Sequence, residues 1–143
     1  MDKRTLTLLL VVFIDLLGFG IVIPILPILV GRMGGDVFLV GVIIAVFSLF
    51  QFLFSPIIGR LSDKYGRRPL LITTAFINSL SYIMVFLFQS LPLLFIARII
   101  AGIGSANISV AQAYVADTSK SHERTKKMAL IGAAFGLGFI FGP

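Results

Sequence analysis

The chain has 143 residues, 58% of them hydrophobic and only 13% charged, with a mean hydropathy of +1.08. A soluble domain carries about 25% charged residues, so composition excludes a soluble fold and predicts an all-α membrane protein in contact with a lipid bilayer. The net charge of +6 does not indicate a nucleic-acid partner, because the basic residues sit in short connections between apolar runs, which is the pattern of membrane topology. There is no cysteine, which rules out disulfides and thiolate metal ligands. The lone His122 lies in a charged connection and reads as a solvated surface residue.

A membrane-spanning helix needs about 20 mainly apolar residues. In chain order, four such runs are Leu6–Val30, Val37–Ile58, Leu70–Leu91 and Pro92–Ala116. The first is too long for a cleaved signal peptide and holds Asp15. A fifth run, Met128–Pro143, covers only about 24 Å of a hydrocarbon core about 30 Å thick, so it reads as a truncated fifth span. Lys3, Arg4, Arg60, Lys64, Arg67, Arg68, Lys120, Arg124, Lys126 and Lys127 fall on one side of the membrane, against Arg32 on the other. This asymmetry predicts a multi-pass protein with its N-terminus in the cytoplasm.

A weak internal repeat accompanies these runs. LLGFGI (Leu16–Ile21) and IAGIGS (Ile100–Ser105) break the first and fourth runs with Gly-x-Gly, while FLFSP (Phe52–Pro56) and FIFGP (Phe139–Pro143) mark the second and fifth. A repeat of three helices is inverted in its second copy, and inverted repeats with matching Gly/Pro breaks point to a secondary transporter.

Three runs also carry a polar stripe. Residues 3, 4, 7 and 11 apart share a helix face. This groups Arg98, Ser105, Ser109 and Gln112 on the fourth run, Gly41, Ser48, Gln51, Ser55 and Gly59 on the second, and Thr74, Asn78 and Ser81 on the third. The small residues, including Ala97, Ala101, Ser105, Ser109 and Ala113, suit close helix packing. So do Gly132, Gly136, Gly138 and Gly142 on the fifth run. The larger amides of Gln51, Asn78 and Gln112 need several partners each and point to a polar cavity. Asp15 and Arg98 carry charge inside apolar runs, at a cost of at least about 2.5–3.5 kcal/mol each unless partnered. Their estimated depths differ by only about 6 Å, so they can pair directly or through water. Two readings stay open: a permanent ion pair orienting two helices, or a protonatable carboxylate whose partner is freed on proton uptake.

The connection GRLSDKYGRRP (Gly59–Pro69) concentrates charge between two uncharged runs. Gly59 is a candidate end for the second helix, Gly66 supplies a turn, and Pro69 suits the first position of the third helix. A basic topology signal explains the arginines but not Asp63 or the glycines.

These residues carry a resemblance. GRLSDKYGRRP resembles the signature loop between helices two and three of the major facilitator superfamily. IPILP (Ile23–Pro27) is similar to the first-helix proline motif of its twelve-helix drug:proton antiporters, ARIIAGIGSA (Ala97–Ala106) to their fourth-helix motif, and GLGFIFGP (Gly136–Pro143) to the start of the fifth-helix antiporter motif. QFLFSP, RIIAGI and AYVAD bring the match closest to tetracycline-resistance efflux pumps and their relatives.

The resemblance implies the N-terminal part of a major facilitator fold, with four complete transmembrane helices and a truncated fifth out of twelve. It implies proton-coupled efflux of small hydrophobic organic compounds or drugs, tetracycline-like compounds among them, by alternating access in a bacterial inner membrane. The proton is the coupling ion and no other cofactor is expected, nor enzymatic activity. The remaining partner is the C-terminal half of the same transporter. By resemblance Asp63, Arg67 and Asp117, with Gly59 and Gly66, belong to a cytoplasmic gate. Asp15 and Arg98 match a membrane-embedded charged pair, and Gln51, Asn78 and Gln112 belong with them in the proton-coupling and substrate cavity. Gly138, Gly142 and Pro143 form part of the antiporter motif. One departure is Ser81: tetracycline pumps carry an acid there, followed by the tyrosine that is present as Tyr82. The alternative function is a non-transporting truncated membrane scaffold or partner subunit, which needs the packing seams but not the gate or the acid.

Overall fold

The computed structural model describes residues 3–87 and 90–142, and they form six α-helices. These are α1 (Lys3–Arg32), α2 (Val37–Tyr65), α3 (Arg67–Leu87), α4 (Leu91–Gly104), α5 (Asn107–Thr118) and α6 (Ser121–Phe141). The helices α1, α2, α3 and the combined segment Leu91–Thr118 are each long and apolar enough to cross a membrane.

α1 continues through Pro24 and Pro27. Proline frees carbonyls one turn back, and neighbouring helices make that tolerable inside a bilayer. The chain then reverses at Gly34, whose φ of +81° is open to glycine without a Cβ clash. Asp36 caps α2, its Oδ1 accepting from the Leu39 N–H at 2.9 Å.

α2 does not end at Gly59, as the glycine pattern predicts. It runs on to Tyr65, with Pro56 inside it. Nothing in Arg60–Tyr65 opposes helix, and a single glycine is tolerated; the stop comes from Gly66, where φ is +99° and the N–H bonds Ser62 O at 3.0 Å. α3 begins at the very next residue. Pro69 is therefore the third helical residue and not the first, which is equally acceptable because the first four N–H groups of a helix have no intrahelical partner.

The fourth apolar run is two helices. Ser105 and Ala106 depart from α-geometry, with ψ of −3° and −6°, and divide α4 from α5. α6 starts at Ser121, seven residues before its apolar stretch. Its charged first turns are helix-competent, with Lys127 Nζ 3.8 Å from Glu123 one turn earlier.

α4 packs on α2 and α3, and α1 packs on α6. Glycines set the closeness. A Cβ at Gly102 would lie 2.6 Å from the Phe47 carbonyl of α2, and one at Gly104 would lie 2.8 Å from the Asn78 backbone of α3. Gly138 meets Leu16 in the same way, and Gly142 meets Gly20. Gly132 and Gly136, by contrast, have nothing within 4 Å, so the packing seam of α6 runs through one of its two glycine pairs.

Two apolar clusters result. One gathers Leu8, Val12, Leu16, Ile58, Leu71, Val110, Val115 and Ile131. The other gathers Val22, Leu26, Val30, Ile43, Val85, Leu94 and Ala97. Along α1 to α5, polar residues fall between the two: Asp15, Gln51, Thr74, Asn78, Ser81, Arg98, Ser105 and Asn107. Large side chains such as Ile14, Phe52, Phe76 and Phe86 lie exposed on the outside, a surface suited to hydrocarbon and to helix partners, not to water. The chain is an integral membrane bundle with a polar layer at mid-height.

Candidate functional site

The polar layer is built around Asp15. Its carboxylate accepts from Asn78 Nδ2 of α3 at 3.0 Å and from Asn107 Nδ2, the first residue of α5. Tyr82 donates its hydroxyl to the Asp15 backbone carbonyl at 3.3 Å. Asp15 thus joins α1, α3 and the break in the fourth span through neutral groups. Gly18, one turn along α1, leaves room for the Tyr82 ring: a Cβ there would sit 2.6 Å from it.

Arg98 is not its partner. The guanidinium is 1% exposed and lies over the Phe47 ring, with Cζ 4.3 Å from the centroid. Its Nε and Nη2 have no hydrogen-bond partner, and no ion pair joins it to Asp15 among the described residues. Of the two pairings open to them, the direct one does not form, and the two charges are held separately. The reason is rotational. Asn78 and Asn107 fill the space against the carboxylate, while Arg98, on the far side of the α4–α5 break, turns toward α2.

Asp15 also borders a cavity of about 80 Å³, with Leu16, Phe19, Phe47, Gln51, Ser105, Ile108 and Phe135 as its walls. Phe19 stacks on Phe47 at 5.1 Å and meets Phe139 edge-on at 5.8 Å. Gln51 donates to Ser105 O at 3.3 Å, satisfying a carbonyl freed by the helix break. Gln112 is exposed, one turn beyond Ile108 on the same face. Ser81 is buried and donates to Asn78 O at 2.6 Å, so the position of the expected acid lies beside the amide that holds Asp15.

A second assembly forms where α2 and α3 meet. Arg67 Nη2 lies 2.5 Å from Asp63 and 2.7 Å from Asp117, and its Nε donates to Asp117 at 3.1 Å. Nη1 reaches Ser62 Oγ and, at 3.4 Å, the Gly59 carbonyl. One arginine thus ties α2, α3 and α5 together. The left-handed turn at Gly66 lets α3 begin immediately and places Arg67 there. Gly138 and Gly142 lie on the α1–α6 seam, while Pro143 falls outside the described residues.

Sequence reasoning missed Asn107, Phe19, Phe47 and Phe135. The stripe on the fourth run was drawn on one continuous helix, and the break at Ser105–Ala106 rotates Asn107 inward. The aromatic residues look like any apolar residue until their neighbours are known. A polar residue next to the Gly-x-Gly-Ser break was the available signal for Asn107.

Fold and site together define a membrane-embedded helical bundle with a charge held at mid-depth and an ion cluster at one end. Residues 8–143 match the family model of the Major Facilitator Superfamily, and the chain belongs to that family. It is 36% identical, over its whole length, to the tetracycline resistance protein, class H, of Pasteurella multocida. It is 34% identical to the class B tetracycline resistance protein of Escherichia coli, and 34% identical to multidrug resistance protein 2 of Bacillus subtilis (strain 168), in the latter over 99% of the chain. The chain spans 36% of the length of each of these relatives. The crystal structure of the human organic anion transporter MFSD10 (TETRAN) superposes on all of it with a TM-score of 0.87 at 29% identity, and the chain covers 41% of that structure.

Proposed function

We propose that the chain is the N-terminal part of a proton-coupled exporter of small hydrophobic organic compounds, working by alternating access in a bacterial inner membrane. The observation that carries this reading is Asp15: a carboxylate between two apolar clusters, bordering an aromatic-walled cavity, with no ion pair to it among the described residues. An intramembrane carboxylate without a counter-ion is costly. Proton uptake removes the charge, so a proton gradient can bias one conformation over another at this point. Gln51 lines the same cavity, and we assign Gln112 and Arg98 to the same polar path. A drug-sized ligand pocket has about 300–1,000 Å³, well above the cavity here, so the C-terminal half of the same transporter supplies the facing wall.

The cluster of Asp63, Arg67 and Asp117 is read as one face of a gate on the cytoplasmic side, closing against that second half. The basic end of the bundle is assigned to the cytoplasm on the positive-inside rule. These 143 residues hold no cysteine, so with any cysteine elsewhere in the transporter replaced by serine, single cysteines at Lys64 and at Asp36 test orientation: impermeant maleimide should label Asp36→Cys from outside intact cells and not Lys64→Cys.

The decisive experiment is Asp15→Asn in the complete transporter, assayed in inverted membrane vesicles. Drug transport driven by an imposed proton gradient is expected to fall to background while the protein still inserts. Transport that remains equally gradient-driven would show that another group couples the proton. Vesicles reconstituted with residues 1–143 alone should not transport. A non-transporting scaffold gives the half-buried acid no role.

A further inference from the structure

We propose that Asn78 and Asn107 are turnable amides that hold Asp15 in both of its charge states, one of them rotating to present oxygen in place of nitrogen when Asp15 takes up a proton. This deepens the assignment of Asp15 as the coupling acid and rests on it.

Two independent observations meet here. First, both amides offer Nδ2 to the carboxylate. An ionised carboxylate only accepts hydrogen bonds, so this arrangement suits the charged state. Second, Asn78 Oδ1 and Asn107 Oδ1 are buried without any hydrogen-bond partner, and both residues are 0% exposed. Buried acceptors are nearly always satisfied. Two orphans on the two residues that contact one acid call for an explanation.

A protonated Asp15 supplies it. The neutral acid carries an O–H donor that needs an acceptor. The hydroxyls of Ser81 and Tyr82 donate to Asn78 O and to the Asp15 carbonyl, and neither contacts the Asp15 carboxylate among the described residues. The two amides do touch it, and their own oxygens are unpaired. A carboxamide has nearly the same shape with O and N exchanged, and its terminal torsion is broad and roughly two-fold. Half a turn of one amide therefore converts a donor to the carboxylate into an acceptor for the acid. The turn exchanges which end of the amide is unpaired: the oxygen gains the acid's O–H, and the NH2 gives up its bond to the carboxylate. The other amide keeps donating to the second carboxyl oxygen. The proton is held inside the bundle without any helix having to move.

Among the described residues no other acid touches Asp15 or its two amides. α3 faces Asp15 with Tyr82, α4 turns Arg98 onto Phe47, and α2, α5 and α6 border the cavity with Phe47, Gln51, Ile108 and Phe135. A serine or threonine beside Asp15 would also donate and accept, but it is shorter. Paired amides bridge from α3 and α5 to the acid on α1.

Infrared difference spectra of proton uptake by the complete transporter test this. A protonated-carboxyl band should appear in the wild type and be missing in Asp15→Asn. With ¹³C-labelled asparagine in otherwise wild-type protein, a paired side-chain amide band should change together with it. Asn78→Ala or Asn107→Ala should move the carboxyl band to higher wavenumber, as an O–H loses its acceptor, and the glutamine variant at the same position, which keeps the carboxamide, should move it back. The proposal is overturned if the carboxyl band is present but labelled wild type shows no asparagine change, or if neither alanine variant moves it. If Asp15→Asn removes no carboxyl band, the assignment of Asp15 as the coupling acid falls, and the amide proposal with it. The labelled wild type decides even where an alanine variant does not fold.

Discussion

The chain holds charge in two ways, and the contrast between them is instructive. At the basic end, Arg67 meets Asp63 and Asp117 directly, with both carboxylates more than half exposed. At mid-bundle, Asp15 and Arg98 do not meet at all: one is held by amides, the other by an aromatic face. Water screens and solvates an exposed pair, so such contacts are individually weak and easily exchanged. A buried pair locks, because separating it leaves two uncompensated charges. A gate that must open suits the first arrangement. A carboxylate that must change charge suits neutral partners, since an arginine against it would oppose protonation. On the proposed function, the exposed cluster is the tie that opens and Asp15 the group that titrates.

Breaking the inner arrangement should have the largest effect, the loss of gradient-driven transport in Asp15→Asn described above. Next comes Gly102→Val. Its Cβ would lie 2.6 Å from the Phe47 backbone oxygen, which cannot move without shifting α2. Overpacking of this kind costs about 1–3 kcal/mol. The thermal unfolding midpoint of the complete transporter in detergent should fall, and Arg98 should lose its seat over Phe47.

Arg67→Ala probes the other region. It removes contacts to α2 and α5 at once but leaves both acids free to solvate, so about 1 kcal/mol is expected. Raised salt should narrow the difference between wild type and variant. A loss much larger than this would mean that the end cluster is a locked core element and not an exchangeable tie.

The Arg98→Met variant sharpens the comparison by sign. Two guanidinium nitrogens are buried without partners, and each such group costs about 1–3 kcal/mol. The cation–π contact returns about 2 kcal/mol or somewhat more in a desolvated site, less than two unpaired nitrogens and a buried charge together cost. The variant should therefore be at least as stable as wild type in the same melt while transport declines. Clear destabilisation would reveal a partner for Arg98 elsewhere in the transporter. The smallest effect is expected for Asp63→Asn, about 0.5 kcal/mol, because this acid is the most exposed of the three and sits in an i,i+4 pair.

Much of the fold was legible before any coordinates. Apolar runs of about twenty residues cannot be placed in water, so the spans could be read directly. Their ends were read less well, for definite reasons. A hydropathy run sees only the apolar part of α6 and not its charged first turns. Glycine alone does not distinguish Gly59, which α2 passes through, from Gly66, which adopts positive φ. The break at Ser105–Ala106 is a departure of a few dihedral angles inside an otherwise uninterrupted pattern.

The site divides in the same way. Asp15, Arg98, Asn78 and Gln51 stood out because polarity inside an apolar run is conspicuous. Their partners did not. Asn107 enters only through the rotation that the helix break imposes, and Phe47 was one phenylalanine among fourteen in the chain.

By itself, then, the sequence determined that this protein lives in a membrane, how its spans are divided, and which residues carry polarity into the bilayer. Those properties follow from the transfer of single side chains and are local. Only the tertiary structure decided that Asp15 and Arg98 are held apart, that Arg67 ties three helices, and that two amides share one acid. Those depend on how each helix is rotated against its neighbours. That rotation is set by close contacts at Gly18, Gly102, Gly104 and Gly138, whose partners lie far away in the chain.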